Sequence, residues 1–599
     1  IMEFILSNLF GDYCSLNSNL SLSRKYHGLY VYRNNNIRRV IFQALKFLNT
    51  DFRVLKNELR HYYKGSELSL DTSIGAIKIE MPRFKRKLSI KIFNRTNQKI
   101  PLLLYFNNRN IHEVSRDNTN FYPKFTILQS KKGMKNEYKL NLMFENPKSE
   151  FLLEVESEDI IYIQPKNLVE RIYLEHEFLR GYEPFDFFNQ LLELQFSKNL
   201  EIMFSSSILS TKQVLPFKSL KTKNKNLNYS KSIVNRIYSL LDYLYYDQNL
   251  KEFRLLAGFH WFDSWGRDTF ISLPSFARIL LKNNLITKEV VCSIFDSYLS
   301  RIRNGLIPNY ISETSAYNSS DASLWLINAF YEYYKEFKDK KFIESRYEKI
   351  RSIIDGYING NDIIKLDSRD FLIISKAQTT WMDAMIDGSP ITPREGKCIE
   401  INALFLNSLQ IVCELGKILD KDTSKYLDII HQMKRSIRVF WNGCYLDDYI
   451  LLDGRKDNSI RPNQIIAISL PFIDFRIFSK DKMLSIIDVV EKNLLTPVGL
   501  RTLSKTSNNY INSLKGTVKQ KDLCYHNGAI WPWLLYSYFQ ACQKINKKPI
   551  VKLDELLNDN NNLSFSHIAE IYDPSYYYPD GCIAQLWNDC TILDLLLSF

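Results

Sequence analysis

The chain has 599 residues, 45% hydrophobic and 14% aromatic, with 79 Lys and Arg against 66 Asp and Glu, a net charge of +13. That length and apolar content suit two or more ordered domains with large cores and exclude a disordered polypeptide. The positive charge raises nucleic acid as a partner, but the basic residues are dispersed in short clusters such as Arg83-Phe84-Lys85-Arg86-Lys87, without a nucleic-acid-binding signature, so none is expected.

At the N-terminus, Ile1-Met2-Glu3-Phe4-Ile5-Leu6 lacks the basic region and small-residue cleavage site of a signal peptide. No apolar run approaches the roughly 20 residues of a bilayer span. A cytoplasmic location with no membrane partner is therefore expected. The nine cysteines are odd in number, scattered and never spaced as CxxC, so they read as reduced thiols and no metal site is expected.

Runs at 25–32, 38–48, 87–93, 102–106, 138–144, 151–156 and 200–204 are short and rich in β-branched and aromatic residues. Several alternate with period two, as in Lys87-Leu88-Ser89-Ile90-Lys91-Ile92. They predict a multidomain α+β chain that begins with an antiparallel β-sandwich over 1–210. The polar stretch 211–229, which contains Lys218-Ser219-Leu220-Lys221-Thr222-Lys223-Asn224-Lys225, reads as a linker. From 230 to 599 the period becomes helical: Ile233, Val234, Ile237, Leu240, Leu241 and Leu244 share one face, and further helices are expected at 321–337, 399–419, 426–440, 482–494, 527–545 and 585–597. About twelve helices of ordinary length would fill this region, the content of an (α/α)6 toroid barrel.

Four polar-aromatic clusters interrupt the helical half. Gly258 to Thr269 holds Trp261, Trp265, Arg267 and Asp268. Tryptophan faces stack on the apolar faces of sugar rings, and an Arg-Asp pair can grip neighbouring hydroxyls. The plainer alternative is a helix start with its tryptophans plugging a hole. Thr380-Trp381-Met382-Asp383-Ala384 precedes a loop with Gly and Pro, followed by Lys397 and Glu400. An aspartate among apolar neighbours can have the raised pKa of a general acid, or it can cap a turn in solvent. Tyr525 to Trp533 gathers His526 and Trp531 around a glycine, a composition suited to hydroxyl recognition. In the last cluster, Glu570 lies between apolar residues and Gln585 follows in Gly581 to Trp587. A carboxylate so placed must be paired or aimed into a cavity. Two carboxyl groups in an aromatic-lined site are what glycoside hydrolysis requires. A Walker loop, a dinucleotide glycine fingerprint, HExxH and GxSxG are all absent from the sequence, and no cofactor is expected.

These segments, in this order, resemble the bacterial and archaeal glycogen debranching enzymes of the amylo-α-1,6-glucosidase type. The family's W-F-x-x-W-G-R-D-T is similar to Trp261–Thr269, its T-W-M-D-A to Thr380–Ala384, and its T-P-R-x-G-K-x-x-E-I-N-A to Thr392–Ala403. R-P-N-Q corresponds to Arg461–Gln464, H-x-G-x-x-W-P-W to His526–Trp533, H-I-x-E-I-x-D to His567–Asp573 and G-C-x-A-Q-x-W to Gly581–Trp587. The resemblance implies a β-sandwich followed by a glucoamylase-like (α/α)6 barrel. It also implies inverting hydrolysis of α-1,6-linked glucose at the branch points of glycogen or a related branched α-glucan. Asp383 would be the general acid and Glu570 the general base. Arg267 and Asp268 would hold the glucose, with Trp261, Trp265, Trp381 and Trp531 as walls and Lys397, Glu400, His526 and Gln585 as second-line contacts. Asn527-Gly528-Ala529-Ile530 and Trp587-Asn588-Asp589 depart from the family pattern and bear on substrate preference. Two other readings of the chain are an inverting glycosidase for another α-glucoside and a catalytically silent glucan-binding protein.

Overall fold

The computed structural model describes residues 2–34, 37–96, 98–115, 123–132, 135–145, 148–160, 162–180, 182–206, 227–312 and 315–598. It divides into two compact units, Ile1–Arg254 with Leu563–His567, and Leu255–Asn562 with Ile568–Phe599. The expected linker at 211–229 lies outside the described residues up to 226.

The first unit holds two antiparallel sheets. One runs, in spatial order, Glu3–Ser7, Tyr13–Asn17, Gly28–Asn34, Ile37–Phe47, Ile100–Asn110, Phe185–Phe196 and Tyr162–Tyr173. The other runs Lys124–Lys132, Lys135–Glu145, Lys148–Ser157, Leu200–Ser206, Lys87–Asn94, Gly75–Pro82, Gly65–Thr72 and Val54–Tyr62. Alternation explains the inner faces. In Gly75–Pro82, Ile77, Ile79 and Met81 are buried while Ala76, Lys78 and Glu80 look outward. Both sheets feed one core, in which Phe42 of the first meets Phe204 of the second at 5.5 Å. Each such buried aromatic contributes roughly 1.5–3 kcal/mol. Val54–Tyr62, which the sequence pattern did not reveal, is an edge strand whose exposed positions include Lys56 and Arg60. Charge at an edge discourages pairing with other chains and also masks the alternation.

His61, Asp242 and His567 are fully buried in this unit, with ligand atoms within 4.8 Å of one another. Arg83 Nη1 donates to Asp242 Oδ1 at 3.1 Å and Ser7 Oγ donates to it at 2.9 Å. A guanidinium on the carboxylate supplies the positive charge that a metal would bring, so the group is an internally compensated network.

In the second unit, Gly266–Lys282 packs on Ala322–Phe337, that helix on Ile399–Ile418, and that on Asn463–Ser469. The series continues through Leu534–Ile545 to Leu586–Ser598, which packs back on Gly266–Lys282. Ring helices are buried around most of their circumference: every residue from Ile399 to Gln410 is buried, the polar ones included. A helix of that kind must be enclosed on several sides. Lys340–Asn359, which packs against two of them, buries only one stripe, including Ile350, Ile353, Ile354 and Tyr357.

Three expected helices are corrected at their ends. The helix expected over 527–545 begins at Leu534, because Ile530–Trp531 is a strand and Pro532 disfavours helical geometry before it. The run at 426–440 is α-helical over Leu427–Ser436 and then tightens to 3-10 over Ile437–Phe440. The face read from Ile233 to Leu244 is helical over Lys231–Ser239, and Leu244 opens the strand Leu244–Asp247. Loops between these helices carry strands of two or three residues, five of which form a sheet: Leu495–Thr496, Gly499–Arg501, Ile530–Trp531, Ile571–Tyr572 and Pro579–Asp580. Such short strands leave no periodicity in the sequence. Among the described residues, no helix is long and apolar enough to cross a membrane.

Candidate active site

Arg267 and Asp268 occupy the first turn of Gly266–Lys282. A side chain on Gly266 would press within 2.6 Å of the Pro308 carbonyl, so glycine lets this helix start seat closely. The Arg267 guanidinium is 4% exposed and fully engaged. Its Nε donates to both oxygens of Asp321 at 3.0 and 2.9 Å, Nη1 to Asp383 Oδ2 at 2.8 Å, and Nη2 to Ser319 Oγ at 3.2 Å and the Thr380 carbonyl at 3.0 Å.

The loop carrying Asp383 is held from several sides. Trp381 Nε1 donates to Asn463 Oδ1 at 2.7 Å, and Asn463 Nδ2 donates to Asp448 Oδ1 at 2.7 Å. Buried Arg394 forks onto Glu400 at 2.5 and 2.7 Å, reaches Asp448 Oδ2 at 2.7 Å and donates to Thr380 Oγ1 at 3.1 Å. The side chain of Asp383 keeps 35% of its surface open, yet loss of solvation still pushes its pKa up against the pull of Arg267. A carboxyl group that is raised, reachable and fixed in orientation suits proton delivery.

Glu570 stands at the foot of the hairpin formed by Ile571–Tyr572 and Pro579–Asp580. Its N–H donates to the Cys582 carbonyl at 2.9 Å, and the Cys582 N–H donates to Oε2 at 2.9 Å. Tyr525 OH donates to Oε1. Gly581, at φ +76°, allows the chain to turn here, and a Cβ on it would collide with this carboxylate. Glu570 is 2% exposed.

Asp268 joins the two carboxyl groups. Burial pushes its pKa up to about 8, Arg267 opposes this, and the charges of Glu570 and Asp383 add to it. Three carboxyl groups therefore lie within electrostatic reach of one another, and burial favours the neutral form of Asp268. Gln585 Nε2 donates to Asp268 Oδ1 at 2.9 Å.

The remaining expected residues separate into three groups. Trp261 and Trp265 are half-buried and keep open surface, with Trp265 beside Tyr310 at 5.5 Å. Trp381, Trp531 and His526 form a buried cluster, 3%, 2% and 0% exposed, in which His526 stacks on Trp531 at 5.8 Å. Burial, reinforced by Arg461, Arg267 and Arg394, holds the His526 pKa well below the usual range, so the ring is neutral. Lys397 is drawn onto Asp367 at 2.8 Å and Asp370 at 2.5 Å, and Glu400 is the buried partner of Arg394. These last two brace the loops and do not join the three carboxyl groups.

Sequence reasoning passed over Tyr525, Asp321, Arg394 and Asp448. Tyr525 opened a quoted cluster without being given a role, and its link to Glu570 spans 45 positions. A cleft of about 730 Å³ lies along Ile386–Arg394, Tyr510 and Lys519. A cavity of about 310 Å³ is lined by Phe270, Trp325, Trp533 and Tyr536, and the carboxyl groups are not part of its lining.

The family model described as Amylo-alpha-1,6-glucosidase matches residues 238–594. A curated relative, the glycogen debranching enzyme of Saccharomyces cerevisiae (strain ATCC 204508 / S288c), is 24% identical over 373 residues, covering 46% of this chain and 24% of its own. The chain thus matches about a quarter of that relative's length. Among solved structures, an uncharacterized conserved protein from Thermus thermophilus is similar with a TM-score of 0.45 at 10% identity, covering 57% of this chain and 95% of that one. A GH63 mannosylglycerate hydrolase from the same organism, in complex with glucose, gives a TM-score of 0.43 at 11% identity with the same coverage.

Proposed function

The chain belongs to the amylo-alpha-1,6-glucosidase family of glycoside hydrolases, and on that premise we propose that it hydrolyses α-1,6-linked glucose at the branch points of glycogen or a related α-glucan, with inversion. The closed ring of six helices is read as the inner layer of an (α/α)6 toroid. The observation that carries the proposal is the pairing of Asp383, raised and open, with Glu570, fixed by Tyr525 and the Cys582 N–H.

Asp383 protonates the glycosidic oxygen, and the bond from that oxygen to the anomeric carbon breaks. Glu570 takes a proton from the water that attacks the opposite face of the sugar. Asp268 and Gln585 receive hydroxyls of the cleaved glucose, with Trp261 and Trp265 as the open aromatic surfaces and Trp381, Trp531 and His526 packed behind them. The route uses no metal and no cofactor.

The test is release of glucose from a maltooligosaccharide bearing one α-1,6-linked glucosyl unit, compared with its linear α-1,4 isomer. Release from the first alone supports the proposal. Release from the second alone assigns the site to another α-glucoside. Retention of branched glucan without release from either makes the chain a binding protein.

A further inference from the structure

We infer that Tyr576 and Tyr578 form a sugar-stacking platform, outside the catalytic pocket, that holds an outer chain of a branched α-glucan; this rests on the glycosidase reading above. The two side chains are each 62% exposed, and their rings lie 6.0 Å apart with planes at 24°. They stand at the tip of the hairpin that starts beside Glu570, where Ile571 pairs with Asp580 and Tyr572 with Pro579. At about 3.3 Å per residue, the tip lies roughly 10 Å along the strands from Glu570, a reach of the order of a short oligosaccharide.

Two exposed tyrosines on a loose loop would signify little. This tip is not loose. Asp573 Oδ1 accepts from the N–H groups of Ser575 and Tyr576, both at 2.9 Å, and Oδ2 accepts from the Leu514 N–H at 2.9 Å. Ser575 Oγ donates to the Asn512 carbonyl at 2.6 Å, and Arg501 Nη2 donates to the Pro574 carbonyl at 3.1 Å. Beneath them the turn closes on itself, with the Asp573 N–H donating to the Tyr578 carbonyl at 2.8 Å. The rings are therefore held in place before any ligand arrives, which lowers the ordering cost of binding.

Charge and chemistry select the occupant. The carboxylate at the base of the tip, Asp580, is matched by Lys521 Nζ at 2.6 Å. Lys515 lies over the Tyr576 ring at 5.0 Å from its centre. The surface left open is the part of the two rings that Lys515 does not cover, with their phenolic hydroxyls, complementary to a neutral chain of pyranose rings. A glucan that enters the site for hydrolysis brings such a chain with it.

The experiment compares wild type with the full-length double variants Tyr576→Ala/Tyr578→Ala and Tyr576→Phe/Tyr578→Phe. Two readouts are used: mobility in native gels containing glycogen, and KM on glycogen limit dextrin against KM on the α-1,6-branched oligosaccharide. The alanine pair should lose retardation by glycogen and raise KM on the polymer roughly 10-fold, the size of one or two aromatic contacts, with kcat and the oligosaccharide KM within about twofold of wild type. The phenylalanine pair should keep the affinity. An alanine pair with wild-type retardation and polymer KM overturns the inference, as does a wild type retarded by single-stranded DNA but not by glycogen. If wild type cleaves neither substrate, the glycosidase reading fails separately, and loss of glycogen retardation in the alanine pair still decides the platform.

Discussion

Arg267 donates to Asp383 at 2.8 Å while Asp321 anchors the same guanidinium through its Nε at 2.9 and 3.0 Å. The proposed acid is thus steered by a cation that is itself held, and position and acidity are coupled through one side chain. Arg267 pulls the Asp383 pKa down against the larger effect of burial. Arg267→Met should therefore lower kcat/KM by on the order of 10² through lost positioning and move the alkaline limb of its pH profile upward. A limb that stays put or moves down would separate Asp383 from proton delivery.

Asp268 gives a stability prediction with a definite sign. Its pKa is raised from 3.8 to about 8 on folding, so above pH 3.8 the folded state binds more protons at this site than the unfolded one. Stability contributed by the site is full below pH 3.8 and falls as pH rises through 8. Asp268→Asn should gain on wild type in melting temperature between pH 5 and pH 8. A constant difference across that window would show that Asp268 is already ionised in the folded protein.

Arg394 meets Glu400 and Asp448 in a buried cluster behind Trp381. Arg394→Met leaves two buried carboxylates facing each other and should cost about 3–5 kcal/mol. Arg394→Met/Glu400→Gln should recover part of that loss, because the two residues share one network. Equal denaturation midpoints for the single and double variants would contradict this coupling.

Gly581 has φ +76° and its missing Cβ is what clears the Glu570 carboxylate. Gly581→Ala should destabilise the protein by about 1–2 kcal/mol through backbone strain and reduce kcat more than 10-fold by displacing Glu570. Full activity with ordinary stability would mean that the carboxylate need not sit where it is seen.

Much of this was legible in the amino acids. The N-terminal runs alternate because one face of each strand is buried, and Lys87–Asn94 appears close to where that alternation put it. Ile399–Ile418 was readable because apolar residues recur along it at helical spacing and proline is absent from it. Asp383 and Glu570 stood out as carboxylates among aromatic and apolar neighbours. The missing parts are those made by distance along the chain. Arg394 and Asp448 are 54 positions apart, and Tyr525 and Glu570 are 45 apart. No local pattern encodes such pairs, since only the closed ring brings their loops together. Trp381 and Trp531, expected as walls, and His526, expected as a second-line contact, pack on one another in a buried cluster, a mutual arrangement that no local pattern announces.

The most direct test of the account is the anomer of the first glucose released from a phosphorylase-trimmed limit dextrin, followed by NMR for wild type and Asp383→Asn. Wild type should release β-glucose, and the variant should release at least 10²-fold less while still binding the polymer. α-Glucose as the first product would contradict the role of Glu570 as a base acting on water. Undiminished release by Asp383→Asn would contradict the role of Asp383 as the acid.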